Sequence, residues 1–210
     1  MAAIAIEAGR AIVVLLPDDG SELVGVVEAV EVNEVIVVLQ SGNQNTLLGA
    51  HPRIVRIGID DPLIVDIPID RVEPIDDEPP RAILQFEPDL VKVGTRSRAR
   101  VRAELRLDLL VPDLYRPRTI EARTDWISSS ALAVKVLATD MKNVEEGASL
   151  VASVQFTDDH ADLLVLERGP VEIAGRTARV VFNIVSADNN ARNVLQRVVG
   201  DALLSSAGLG

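Results

Sequence analysis

Apolar residues in this chain fall in short runs broken by turn-forming residues. Residues 11–16 make one run, closed by Pro17-Asp18-Asp19-Gly20. Residues 22–32 alternate, with Leu23, Gly25, Val27 and Ala29 on one side and Val24, Val26, Glu28 and Val30 on the other. A period of two places successive side chains on opposite faces of a strand. Asn33-Glu34 turns the chain into residues 35–39, and Ser41-Gly42-Asn43-Gln44-Asn45 is a loop. Residues 53–57 and 63–72 read as strands around Asp60-Asp61-Pro62, and residues 81–86 as one more. Turn signals roughly every 8–12 residues between β-rich runs predict a small antiparallel barrel.

The acidic, proline-rich stretch 73–80 (EPIDDEPP) reads as a domain boundary or a long loop, and residues 87–96 as the connector. This sets a first domain at 1–90 and a second at 91–210. Strands are predicted at 100–111, 118–127, 131–137, 148–156, 162–173 and 176–185, with Gly175 at the last hairpin turn. Beyond them Ala191, Val194, Leu195, Val198, Val199, Ala202 and Leu203 recur at helical spacing behind a cap at Asp188 or Ser186. That apolar stripe packs on its own barrel or meets a partner, and residues 204–210 read as a frayed tail. The expected fold is all-β: two small antiparallel β-barrels in tandem, with a C-terminal α-helix on the second.

Composition agrees. Val, Ile, Leu and Ala dominate while aromatics make up 2% of the chain, a bias toward pleated sheet. The chain has no cysteine, hence no disulfide or thiolate metal site. No apolar run approaches the roughly 20 residues of a membrane span, and the start lacks a basic lead. The expectation is a cytoplasmic protein without membrane insertion. A net charge of −11 repels polyanions, so neither DNA nor RNA is an expected partner, and an anionic ligand needs a local cluster of cations.

The segment RSRARVR supplies one. Extended, it projects Arg96, Arg98, Arg100 and Arg102 to one side. Without a resemblance to guide it, such a run reads as a solvated strand face. Guanidinium groups also bind phosphate bidentately, pair with the guanine edge, or stack on a base. Further on, Asp125-Trp126-Ile127-Ser128-Ser129-Ser130-Ala131-Leu132 forms a turn between two strands, with a carboxylate and hydroxyls able to meet a guanine edge. Trp126, the single tryptophan, either stacks on a base or belongs to the core.

These residues give the second part, from about Thr95 to Ser205, a resemblance to the PilZ domain, a bacterial cyclic di-GMP receptor. That family has an RxxxR motif before its first strand and a (D/N)xSxxG motif in a strand-to-strand turn. RxxxR is met by Arg98 with Arg102 and by Arg96 with Arg100, the former placing 103–107 where the first strand begins. In the second motif Ser128 matches the serine, Trp126 stands at the Asp/Asn position, Asp125 is one residue early and Ala131 replaces the glycine. The first part resembles the barrel that precedes PilZ in flagellar-brake (YcgR-like) proteins. The resemblance implies a non-enzymatic cyclic di-GMP effector. Arg98 and Arg102 would clamp phosphate and stack on guanine, Arg96 and Arg100 would support them, and Asp125 and Ser128 would read a guanine edge. Binding would change interdomain orientation and signal to a protein partner. The alternative is a degenerate PilZ protein that binds no nucleotide and acts as an interaction module.

Other chemistry is sparse. Asp158, Asp159, His160 and Asp162 in TDDHAD read as an acidic hairpin loop rather than a metal site, and His51 as a loop residue. No phosphate-binding glycine loop or nucleophile elbow occurs, and neither an enzyme nor a cofactor is expected.

Overall fold

The computed structural model describes residues 4–15, 22–32, 34–40, 54–60, 63–75, 78–86, 91–93, 97–112, 116–157 and 160–209. The expected turn at 17–20, the loop at 41–45, His51 and the acidic pair Asp76-Asp77 lie outside them. Contacts divide the chain into two units, Met1–Ala99 with Arg197–Gly210, and Arg100–Gln196. The division therefore falls inside the arginine run.

The first unit holds β1 (Ile4–Ile6), β2 (Ala11–Leu15), β3 (Glu22–Val30), β4 (Glu34–Leu39), β5 (Ile54–Asp60), β6 (Leu63–Pro68), β7 (Arg71–Ile75), β8 (Arg81–Gln85), β9 (Val91–Val93) and β10 (Ser97–Arg98). Its main sheet runs β6-β5-β2-β3-β4-β8-β7, antiparallel throughout, with β10 added to the end of β3 and a separate parallel pair β1-β9. The outermost strands β6 and β7 are consecutive in the chain, joined by Ile69 and Asp70 alone. A link that short reaches only ~10 Å, so the sheet curls toward closure. Val14, Leu23, Val37, Leu39, Val55 and Leu84 fill its interior. The strand expected over 63–72 is two strands: Pro68 offers no N–H to a ladder, and the Asp70 N–H turns to the Gln85 carbonyl at 2.9 Å.

The second unit is a closed barrel in the order β11-β12-β13-β16-β15-β14. Its strands are β11 (Arg106–Val111), β12 (Arg118–Ile127), β13 (Ala131–Leu137), β14 (Ser149–Thr157), β15 (His160–Ala174) and β16 (Thr177–Ala187). In β11 and most of β12 one side of each strand is buried and the other exposed, the pattern that alternating Leu, Ile and Ala positions dictate. Leu109, Leu132, Leu150, Leu164, Leu166 and Phe182 are sealed inside. The strand expected from residue 100 begins only at Arg106. Before it, Thr124 receives the chain: its Oγ1 accepts from Leu105 N at 2.8 Å and donates to the Ala103 carbonyl at 2.5 Å.

Helix α1 (Asn189–Ser206) starts where Asp188 Oδ1 accepts the Ala191 N–H at 2.7 Å, an N-cap. In the second unit Asn190 Nδ2 donates to buried Asp162 at 2.7 Å. In the first, Gly200 lies so close to Pro79 that a Cβ there would meet Pro79 Cγ at 2.4 Å. Residues 204–209 are not frayed. Leu204 is buried, Gly208 takes φ +72°, Leu209 N donates to Leu204 O at 2.8 Å and Gly208 N to Ser205 O at 3.1 Å. These two bonds make a Schellman cap, and glycine supplies its left-handed residue.

Candidate functional site

The arginine run alternates as its spacing predicts. Arg98, Arg100 and Arg102 are exposed while Ala99 and Val101 are buried. The small apolar residues hold the backbone in each unit. In the first, Ala99 N donates to Glu28 O at 2.7 Å, and Arg98, opposite Ala29, donates from Nη2 to Glu31 Oε1 at 2.9 Å. In the second, Val101 and Ile127 exchange two backbone hydrogen bonds, each 2.9 Å. Arg96 lies outside the described residues.

In the second unit the Arg100 guanidinium carbon sits 4.4 Å from the centroid of the Trp126 ring. A cation over an indole face is attracted by the ring's quadrupole. The ring itself is only 7% exposed, so Trp126 is at once a core residue and the floor under Arg100. Arg102 lines an open cleft of about 1220 Å³ on the barrel, shared with Arg106, Arg123, Asp125, Lys135 and Gln155. Arg102 has no hydrogen-bond or ion-pair partner among the described residues.

Register produces a feature the sequence did not disclose. Arg106 lies opposite Arg123, Arg123 opposite Lys135, and Lys135 opposite Arg179, so four cations form a row across β11, β12, β13 and β16. Directly opposed like charges destabilise a sheet. Carboxylates sit among them: Glu104 pairs with Arg123 at 2.5 Å, and Asp125 with both Lys135 at 2.6 Å and Arg179 at 2.5 Å. The Lys135 hydrogen bond above all, helped by the charges of Arg179 and Lys135, holds the Asp125 carboxyl below the usual carboxylate range against the desolvation that opposes it. Each cation is an ordinary outward residue of an alternating strand. Only the pairing of strands brings them together.

The serine turn is closed on itself. Ser128 is 2% exposed, and its Oγ accepts from Ala131 N at 3.0 Å and Ser130 N at 3.4 Å while donating to Ala131 O at 3.1 Å. Ala131 opens β13 without a positive φ, so alanine is unstrained where the PilZ pattern has glycine. Of the residues singled out by sequence, Arg102 and Asp125 share the cleft, Arg100 rests on Trp126, Ser128 lies within its turn, and Arg98 belongs to the first unit. Asp158 and Asp159 of TDDHAD fall outside the described residues. Among those described, no three His, Asp or Glu side chains are grouped to hold a metal. No described helix is long and apolar enough to cross a membrane.

No family model matches the chain, and no curated protein does. Solved structures do. The Bacillus subtilis inhibitor of motility MotI/DgrA is similar at 14% identity and TM-score 0.44, over 95% of this chain and 99% of that one. Escherichia coli YcgR in complex with c-di-GMP is similar at 14% identity and TM-score 0.43, over 95% and 86%. The PilZ domain of the same YcgR with c-di-GMP is similar at 14% and 0.43, over 55% of this chain and 96% of that one.

Proposed function

We propose that the chain is a non-enzymatic effector of the YcgR-like PilZ kind, which takes cyclic di-GMP on the outer surface of its second barrel and passes the signal to a protein partner. The observation that carries this is the display of Arg102 at the cleft, with Arg100 set on Trp126 two residues before it. A guanidinium without a carboxylate partner offers its full fork to phosphate oxygens. The second carries a planar cation that suits the face of a base. The same run joins the two units in sequence, so ligand binding acts on the segment through which a change in their orientation would be transmitted.

A second reading has its own support. The Ser128 hydroxyl is used up within the turn and the Asp125 carboxylate by Lys135 and Arg179, so neither is idle for a guanine edge. This favours a PilZ-like module that binds no nucleotide and presents a protein-interaction surface. Isothermal titration with cyclic di-GMP, beside Arg102→Ala, separates the two. Saturable micromolar binding, weakened at least about tenfold by the variant, is expected of the effector. Absence of heat with a folded wild-type protein selects the second reading.

A further inference from the structure

Resting on the cyclic di-GMP reading, we propose that Trp126 is a positioning residue: it holds the Arg100 guanidinium as a preformed platform on which a purine base of the ligand stacks. Arg100, rather than Arg98, then carries the base.

Several independent restraints converge on Arg100. Its backbone is fixed by the pair of hydrogen bonds that the adjoining Val101 exchanges with Ile127. Its head lies over an indole whose own position is set by the core, at 4.4 Å from the centroid. Arginine ordinarily loses much rotamer freedom when it binds. One already laid on a buried ring has lost that freedom on folding, so less is lost on association. The guanidinium is planar and has two faces. Its carbon lies over the indole and the residue as a whole is exposed, so the guanidinium stays open to a flat ligand group from solvent. Bases stack on guanidinium planes as they do on aromatic rings. Arg102 stands two residues on, at the cleft, where a phosphate linked to that base would meet it. Arg98 belongs to the first unit, where its guanidinium is engaged by Glu31. The platform also accounts for tryptophan where the PilZ pattern has an aspartate or asparagine. That side chain acts on the ligand through Arg100.

The test is a titration with cyclic di-GMP of the full chain and three variants, read by calorimetry and by emission of the single tryptophan. Arg100→Lys keeps the charge and removes the plane. It is expected to weaken binding about tenfold or more with an unchanged dependence on salt. Trp126→Phe keeps a ring and should stay within about threefold of wild type, whereas Trp126→Leu should fall to the level of Arg100→Lys. Ligand should change Trp126 emission in wild type, and this change should shrink in Arg100→Lys. A thermal melt of each variant identifies loss of fold, and Trp126→Phe serves if Trp126→Leu does not fold. Wild-type affinity in Arg100→Lys overturns the platform while leaving the cyclic di-GMP reading intact. No binding by folded wild-type protein overturns both.

Discussion

Arg81 Nε donates to Glu28 Oε2 at 2.7 Å, with the two side chains 2% and 5% exposed. The pair links β8 to β3, and Arg81 also reaches back from Nη1 to the Pro79 carbonyl at 3.1 Å. Glu28 sits at the register shift between Val27 and Ala29, and its own carbonyl receives the Ala99 N–H. An ion pair cut off from water adds little over an apolar pair of the same volume, but losing one partner strands the other. Glu28→Ala is therefore expected to destabilise by about 3–5 kcal/mol, and the double variant Glu28→Leu with Arg81→Met by much less. Urea unfolding followed by circular dichroism measures both. Equal losses would show that packing, not the stranded charge, sets the cost.

Gly200 tests the helix dock. In an exposed helix Gly→Ala stabilises by about 1 kcal/mol. Here the new methyl would meet Pro79 at 2.4 Å and Arg81 Nη2 at 3.1 Å, so the sign reverses. Gly200→Ala is expected to cost about 1–3 kcal/mol, seen as a lower melting temperature. A rise would mean that the helix C-terminal half is not seated on Pro79.

Asp125 gives a pH dependence with a definite sign. Its folded carboxyl titrates below its unfolded value, so the stability it contributes is complete above about pH 4 and is lost as pH falls through the lowered folded value. Acidification from pH 5 toward pH 3 should lower the melting temperature of wild type more than that of Asp125→Asn. At neutral pH Asp125→Asn should be the less stable protein, because Lys135 and Arg179 then face each other without their shared counter-ion. Parallel acid profiles for the two proteins would refute the assignment.

The serine turn predicts two outcomes. Ser128→Ala removes an acceptor for two backbone N–H groups and is expected to cost about 1–2 kcal/mol in thermal or urea unfolding. Ala131→Gly restores the PilZ pattern yet should destabilise by about 0.5–1 kcal/mol, since the position does not need a positive φ. A gain in stability would show that the turn is strained.

Much of the architecture was legible because local pattern and tertiary environment agree. Residues 118–127 largely alternate and residues 131–137 form an apolar run, each bounded by turn residues, and β12 and β13 have those bounds. Asp188 precedes a clear apolar stripe, and it caps α1. Legibility failed where one pattern serves two structures. Ile69 continues an apolar run past Pro68, and that run masks the turn that Pro68 and Asp70 make between β6 and β7. Arginine alternating with alanine and valine looks the same in a strand and in a lead-in tied down at single points, so β11 appeared to begin too early. The tail LSSAGLG reads as flexible by composition, although glycine just past a helix is also a stop signal, and Gly208 uses it. The cationic row lay beyond sequence reading because it depends on which strands are neighbours.

The alternation at 98–102 separates two duties that proteins often load onto the same atoms. Ala99 and Val101, with their backbone amides, hold the segment in place from the buried side, while the arginine side chains add contacts on the exposed side, Arg98 with Glu31 and Arg100 with Trp126. The displayed positions can therefore drift in sequence, or be rewritten by design, at small cost to folding. A lineage could lose, retune or exchange its ligand while keeping both units whole. The same separation makes this run a natural place to graft a new recognition chemistry.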